Sequence, residues 1–177
     1  MKKNIFYIAL VVSCVFILGC AIGGWKRFES KEGGFSVDFP GEPIVNTVKL
    51  PTDFGLIPLY VFVLNAQNEF IYSISFVDYP GNLFAQKTAE GALDAARDGV
   101  IANVQGQLLS ESPISFKGYL GRVVEFSATE GKSYAKARFF LVNQRLYHIM
   151  VTTATERKSS YDIRRFLDSF KLIGGAN

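Results

Sequence analysis

Apolar and polar residues alternate with a period of two along much of this chain, and the exceptions fall where the period lengthens to that of a helix. Phe35, Val37 and Phe39 alternate with Ser36 and Asp38, and Pro40-Gly41 ends the run, which predicts a half-buried strand. Residues 44–50 read as a weaker second strand. Residues 56–64 are apolar on both faces, while over 70–78 Phe70, Tyr72, Ile74 and Phe76 share one side and Ile71, Ser73, Ser75 and Val77 the other. Loss of clean alternation predicts a pair lying centrally in a sheet with material packed on each face. The segment 65–69 between them has the length of a hairpin turn.

Tyr79-Pro80-Gly81 breaks this rhythm. From about Gln86, Ala89, Leu93, Ala96, Val100 and Val104 recur at helical spacing on one stripe, with Glu90, Asp94, Arg97 and Asp98 on the other faces. Gly91 and Gly99 each cost about 1 kcal/mol against alanine inside a helix, so a close approach of helix to sheet is expected there. Strand periodicity returns over 107–115, 119–128, 132–143 and 145–153, with joints at Lys117-Gly118, Glu130-Gly131 and Asn143-Gln144 too short for parallel crossovers. A second helix over about 159–170 puts Ile163, Phe166, Leu167 and Phe170 on one face, with Ser159 or Ser160 as its cap. The order strands, helix, strands, helix predicts an α+β fold with two main helices on a predominantly antiparallel sheet.

The first twenty residues follow neither period. Lys2 and Lys3 form a basic head, residues 5–18 are almost uninterrupted hydrocarbon, and Ile17, Leu18, Gly19 and Cys20 close the segment. This resembles a bacterial lipoprotein signal, in which cleavage before the cysteine leaves Cys20 as the acylated first mature residue. An uncleaved transmembrane anchor is the competing reading, since the run approaches the length needed to cross ~30 Å of hydrocarbon. The small Gly19 favours the lipoprotein, and both readings leave the domain outside the cytoplasm because the lysine end stays inside. If the source is a double-membrane bacterium, Ala21 points to the outer membrane. The expected organisation is a signal over residues 1–19, a Gly-rich tether over 20–33, one domain over 34–173 and a tail over 174–177. Trp25, within that tether, has two possible places: the lipid interface, or packed back on the domain.

Cleavage before Cys20 removes Lys2 and Lys3 from 19 basic residues and none of the 16 acids, leaving a net charge of about +1. A near-neutral domain with interspersed charges argues against a nucleic-acid partner. Cys14 and Cys20 are the only cysteines, so a mature domain has no internal disulfide and no thiolate metal site. Roughly 150 residues bury about two-thirds of their unfolded surface, enough to stand without covalent staples.

At this point the residues carry a family likeness. Trp25 and Phe28 followed by Gly34-Phe35-Ser36-Val37-Asp38-Phe39-Pro40-Gly41, then Tyr79-Pro80, Ala96-Arg97-Asp98-Gly99, Gly118-Tyr119-Leu120-Gly121-Arg122 and Phe166-Leu167-Asp168-Ser169-Phe170, resemble bacterial PsbP-like proteins, relatives of the extrinsic photosystem II subunit. The likeness spans most of the mature chain, here as a lipoprotein. It implies a three-layer α/β/α sandwich and a role in protein docking or assembly, and it carries no catalytic residue across.

Candidate chemistry is sparse. His148 is the single histidine and sits mid-strand, which favours a structural or solvent-facing role over a zinc site. No Gly-x-Ser-x-Gly elbow or phosphate-binding glycine loop is present. Asp94 and Asp98 are helix neighbours with Arg97 beside them, as on a solvated face, and Asp78 is placed to organise the turn that follows it. No cofactor and no metal are expected. Lys132, Tyr134, Lys136 and Arg138 share one strand face; that ladder fits either an anionic partner or a solvated face charged against edge pairing. Tyr79 and Arg122, with Tyr72, Tyr119 and Tyr147, are candidates for a docking groove at the sheet end. The expected function is a non-catalytic binding or assembly module, bound to a membrane through acylated Cys20, with an envelope protein as the candidate partner. The alternatives are a small-ligand carrier with an apolar pocket and an envelope hydrolase.

Overall fold

A computed structural model of the chain describes residues 24–52, 55–66, 69–81, 88–128 and 131–174. The segment expected to be a signal, and Cys20 with it, lie outside the described residues. Among these residues ten strands and two α-helices run in the order β1 (Lys26–Ser30), β2 (Phe35–Phe39), β3 (Ile44–Thr52), β4 (Gly55–Ala66), β5 (Phe70–Asp78), α1 (Ala89–Asn103), β6 (Gln107–Phe116), β7 (Tyr119–Ala128), β8 (Ser133–Val142), β9 (Arg145–Ala154), α2 (Tyr161–Ser169) and β10 (Lys171–Leu172). Seven strands form one antiparallel sheet ordered β3-β4-β5-β9-β8-β7-β6, and β1, β2 and β10 form a small second sheet. The fold is α+β, dominated by antiparallel strands, as the element order predicts.

Alternation on the long strands feeds two separate cores. Phe70, Tyr72, Ile74 and Phe76 of β5, Tyr147, Ile149 and Val151 of β9, and Tyr134, Phe140 and Val142 of β8 face the small sheet and α2. There they meet Phe35, Val37 and Phe39 of β2 and Ile163, Phe166 and Leu167 of α2. Phe35 is fully buried, with ring centroids of Phe62, Phe170, Phe28, Tyr147 and Phe76 between 5.3 and 6.4 Å away. The alternate residues on the opposite face, including Ala135, Ala137, Phe139 and Leu141 of β8 and Val124 and Phe126 of β7, pack with Leu93 of α1. Ser160 caps α2 by accepting from the Asp162 amide at 3.2 Å, and Thr88 caps α1 by accepting from Gly91 N–H at 3.1 Å.

Two expectations are revised, and the open alternative for Trp25 is decided in favour of packing. Residues 26–30, read from sequence as part of a tether, form β1, paired with β2 in register from Lys26↔Phe39 to Ser30↔Phe35. Phe28 faces the core while Lys26, Arg27 and Glu29 face outward, so the strand has one apolar anchor and looks like a charged linker. Trp25 packs on the domain, edge-on to Tyr72 at 5.4 Å with the Arg165 guanidinium 4.5 Å over its ring. Gly91 and Gly99 do not mark a close helix approach: a Cβ on Gly99 meets nothing within 4 Å, and one on Gly91 meets only Thr88 Oγ1 at 3.3 Å. The tight contact lies at Gly121 of β7, where a Cβ would come within 2.5 Å of the Phe139 carbonyl and the Phe140 ring.

Candidate functional site

The cationic ladder on β8 is largely tied into the structure. Register places Lys136 opposite Glu125 of β7, and its Nζ donates to Glu125 Oε1 at 2.8 Å. That bond, with a further one from the Tyr134 hydroxyl, holds the Glu125 carboxyl below its ordinary range. Tyr134 is buried in the α2-side core, and burial raises its hydroxyl pKa. Arg138 caps the end of α2, donating to the Leu167 carbonyl at 2.9 Å and to Asp168 Oδ1 at 2.5 Å. Lys132 stands exposed in the turn before β8.

Arg122 belongs to a second network that fastens α1 to the β6–β7 edge. Glu111 of β6 accepts from Arg122 at 2.9 Å and from Arg97 at 2.5 Å; Arg122 also reaches Glu90 at 2.6 Å and Asp94 at 3.0 Å. Arg97 bonds Asp98 at 2.8 Å, which lowers the Asp98 carboxyl pKa and raises that of the guanidinium. The Asp94–Asp98 face is thus an ion-pair clamp between helix and sheet. Asp78 pairs in bidentate fashion with Arg145, both contacts 2.6 Å, across the β5–β9 pair.

The tyrosines do not converge on one groove. Tyr72, Tyr147 and Tyr119 belong to the α2 side, where the Tyr147 hydroxyl donates to the Gly33 carbonyl at 2.7 Å. Tyr79 packs on the α1 side. Strand alternation separates the two groups, so sequence proximity to a sheet end does not bring them together.

Tyr79 instead borders a cavity of about 660 Å³ between α1 and the sheet. Among the described residues helix α1 packs mainly over β7 and β8, to one side of the β4–β5–β9 part of that face. The floor is a single cross-strand row, Val61 of β4, Ser75 of β5, His148 of β9 and Phe139 of β8, each opposite the next in register. Leu59, Val77 and Leu146 form the adjacent row, and Ala92, Ala95, Ala96, Gly99 and Val100 form the helix wall. Small residues on the wall keep the space open. His148 stacks on Phe139 at 4.5 Å between centroids, its Nε2 is buried without a hydrogen-bond partner, and burial pushes its pKa down to about 4. The imidazole is therefore neutral at physiological pH.

This cavity was not anticipated from the sequence, although it also explains why residues 56–64 are apolar on both faces. The available signal was Ser73 and Ser75 on an interior face of β5 where branched aliphatics are usual, matched to a small-residue stripe on α1. Among the described residues no group of three or more His, Cys, Asp or Glu is arranged to hold a metal ion.

No protein-family model and no curated protein matches the chain. Its architecture is that of a PsbP-like protein. The solution structure of cyanobacterial PsbP (CyanoP) from Synechocystis sp. PCC 6803 superposes with a TM-score of 0.62, covering 87% of this chain and 95% of that one at 16% identity. A Pseudomonas aeruginosa protein of unknown function, PA94, described as a putative regulator, gives a TM-score of 0.38 at 16% identity over 75% of this chain and 84% of that one.

Proposed function

We propose that this chain is a non-catalytic binding module, a three-layer α/β/α sandwich held on the extracytoplasmic side of a membrane by acyl chains on Cys20. The observation that carries the binding reading is the distribution of its polar groups. Glu90, Asp94, Asp98, Glu111, Arg97 and Arg122 are joined in one structural network, while the sizeable cavity is lined mainly by apolar side chains with uncharged polar groups among them. Acid–base catalysis needs a titratable pair matched in pKa beside a substrate space, and among the described residues the cavity brings a neutral imidazole and the Tyr79 hydroxyl, whose pKa burial raises. The PsbP-like fold supports a binding or assembly role, with an envelope protein as the partner to seek.

A second reading is favoured by the cavity itself: a volume of about 660 Å³ falls within the ~300–1,000 Å³ of small-molecule sites, as for a carrier. No helix among the described residues is long and apolar enough to cross a membrane. The test is palmitate labelling and fractionation of the wild type and Cys20→Ser, followed by in-cell crosslinking and mass spectrometry. Label and membrane retention lost in Cys20→Ser support the anchor, and a reproducible crosslinked protein supports docking. Unacylated full-length chain in the cytosol would overturn the anchored module.

A further inference from the structure

The cavity under α1 restricts the charge of what can occupy it. Its lining includes Leu50, Leu59, Val61, Val77, Val100, Phe139, Leu146 and Met150, and its polar members are uncharged side chains such as Thr52, Ser73, Ser75 and Asn103 together with neutral His148. The nearest ionic groups described on α1, Arg97, Asp94 and Asp98, are engaged with one another and with the β6–β7 edge. Among the described residues no charged side chain lines the cavity, so a carboxylate, phosphate or ammonium entering here would be desolvated without a counter-charge from them, which is strongly unfavourable. A wholly apolar molecule would leave Ser75 and His148, adjacent across the β5–β9 pair, without a ligand partner.

We propose that the cavity binds an uncharged lipophile of drug-like size bearing one hydroxyl group, whose hydroxyl meets the Ser75–His148 pair on the floor. A hydroxyl both donates and accepts, so it suits either neutral tautomer of the imidazole. The volume admits a branched, ring-containing or short-chain molecule of this class. The proposal rests on the carrier reading and adds a charge rule to it.

The experiment uses full-length protein in its membranes and two photoreactive probes sharing one diazirine-bearing aliphatic tail, one ending in a hydroxyl and the other in a sulfonate. Mass spectrometry maps the labelled residues. The hydroxyl probe is expected to label cavity-lining peptides of β4, β9 and α1 at least tenfold more than the sulfonate probe, and unlabelled alcohol should compete. Gly99→Leu should cut that labelling at least tenfold while leaving the thermal midpoint unchanged or higher, because a Cβ there meets open space and leucine favours helix over glycine. Ala95→Leu, on the same wall, is the second blocking variant should Gly99→Leu fold poorly. Equal cavity labelling by both probes overturns the charge rule and leaves the carrier reading standing. Absence of cavity label from either probe overturns both, and labelling that persists in the blocking variants overturns the assigned site.

Discussion

Replacing His148 tests the interior of this fold through a single titration. The chain contains one histidine, so no other imidazole confuses the reading. Burial lowers its pKa to about 4 in the folded state, against 6.5 as the ordinary value. Because the folded pKa is the lower one, the unfolded chain binds the proton more readily. The stability linked to this group is present above pH 6.5 and is lost as pH falls from 6.5 toward 4. At ~1.36 kcal/mol per unit, the loss should be about 2 kcal/mol at pH 5 and about 3 kcal/mol below pH 4. Against the ~5–15 kcal/mol typical of a domain, that is a large fraction. Urea unfolding at pH 7.5, 6.5, 5.5 and 5.0 would measure it in the wild type and in His148→Leu, with the midpoint and slope fitted at each pH. The absolute stability of the variant is secondary, since leucine alters packing against Phe139 and the cavity floor. The informative quantity is the change with pH: the wild type should weaken by about 2 kcal/mol between pH 7.5 and 5.0 relative to His148→Leu. Parallel profiles for the two proteins would refute the claim that this half-buried imidazole, its Nε2 shielded, stays neutral in the folded state.

Phe35→Ala should destabilise the domain by about 3–5 kcal/mol, because the ring is fully buried against five aromatic neighbours; a fall of roughly 6–20 °C in thermal midpoint is the expected result. Glu111→Ala should cost roughly 2 kcal/mol, between a surface and a buried ion pair, since it leaves Arg97 and Arg122 facing each other without their shared carboxylate; chemical denaturation at low and high salt would show the loss shrinking with salt. Gly99→Ala should raise stability by up to about 1 kcal/mol, read as a higher urea midpoint at unchanged slope, because the added methyl meets open space in a helix interior.

Local periodicity carried the long strands and both helices. The α2 face of Ile163, Phe166 and Leu167 is buried as its spacing requires, and the short joints after β6, β7 and β8 enforce antiparallel neighbours. What escaped depends on partners distant in sequence. β1 is held by one inward phenylalanine and by pairing with β2, and β10 is only two residues long, so the first lacks alternating apolar positions and the second lacks the length for a periodic signal. The spacing of Lys136 and Arg138 places them on one face, but it cannot reveal Glu125 or Asp168. The cavity arises because α1 covers β7 and β8 rather than the whole sheet, a choice of docking position that no single element encodes.

The placement of β9 also constrains the order of assembly during synthesis. It lies between β5 and β8, joining the half-sheet β3-β4-β5 to the half-sheet β6-β7-β8. Neither half has a neighbour for its inner edge until residues 145–154 have emerged, and β10 follows only at the very end. Until β9 has emerged, a nascent chain therefore carries two open strand edges, which exposes it to mispairing.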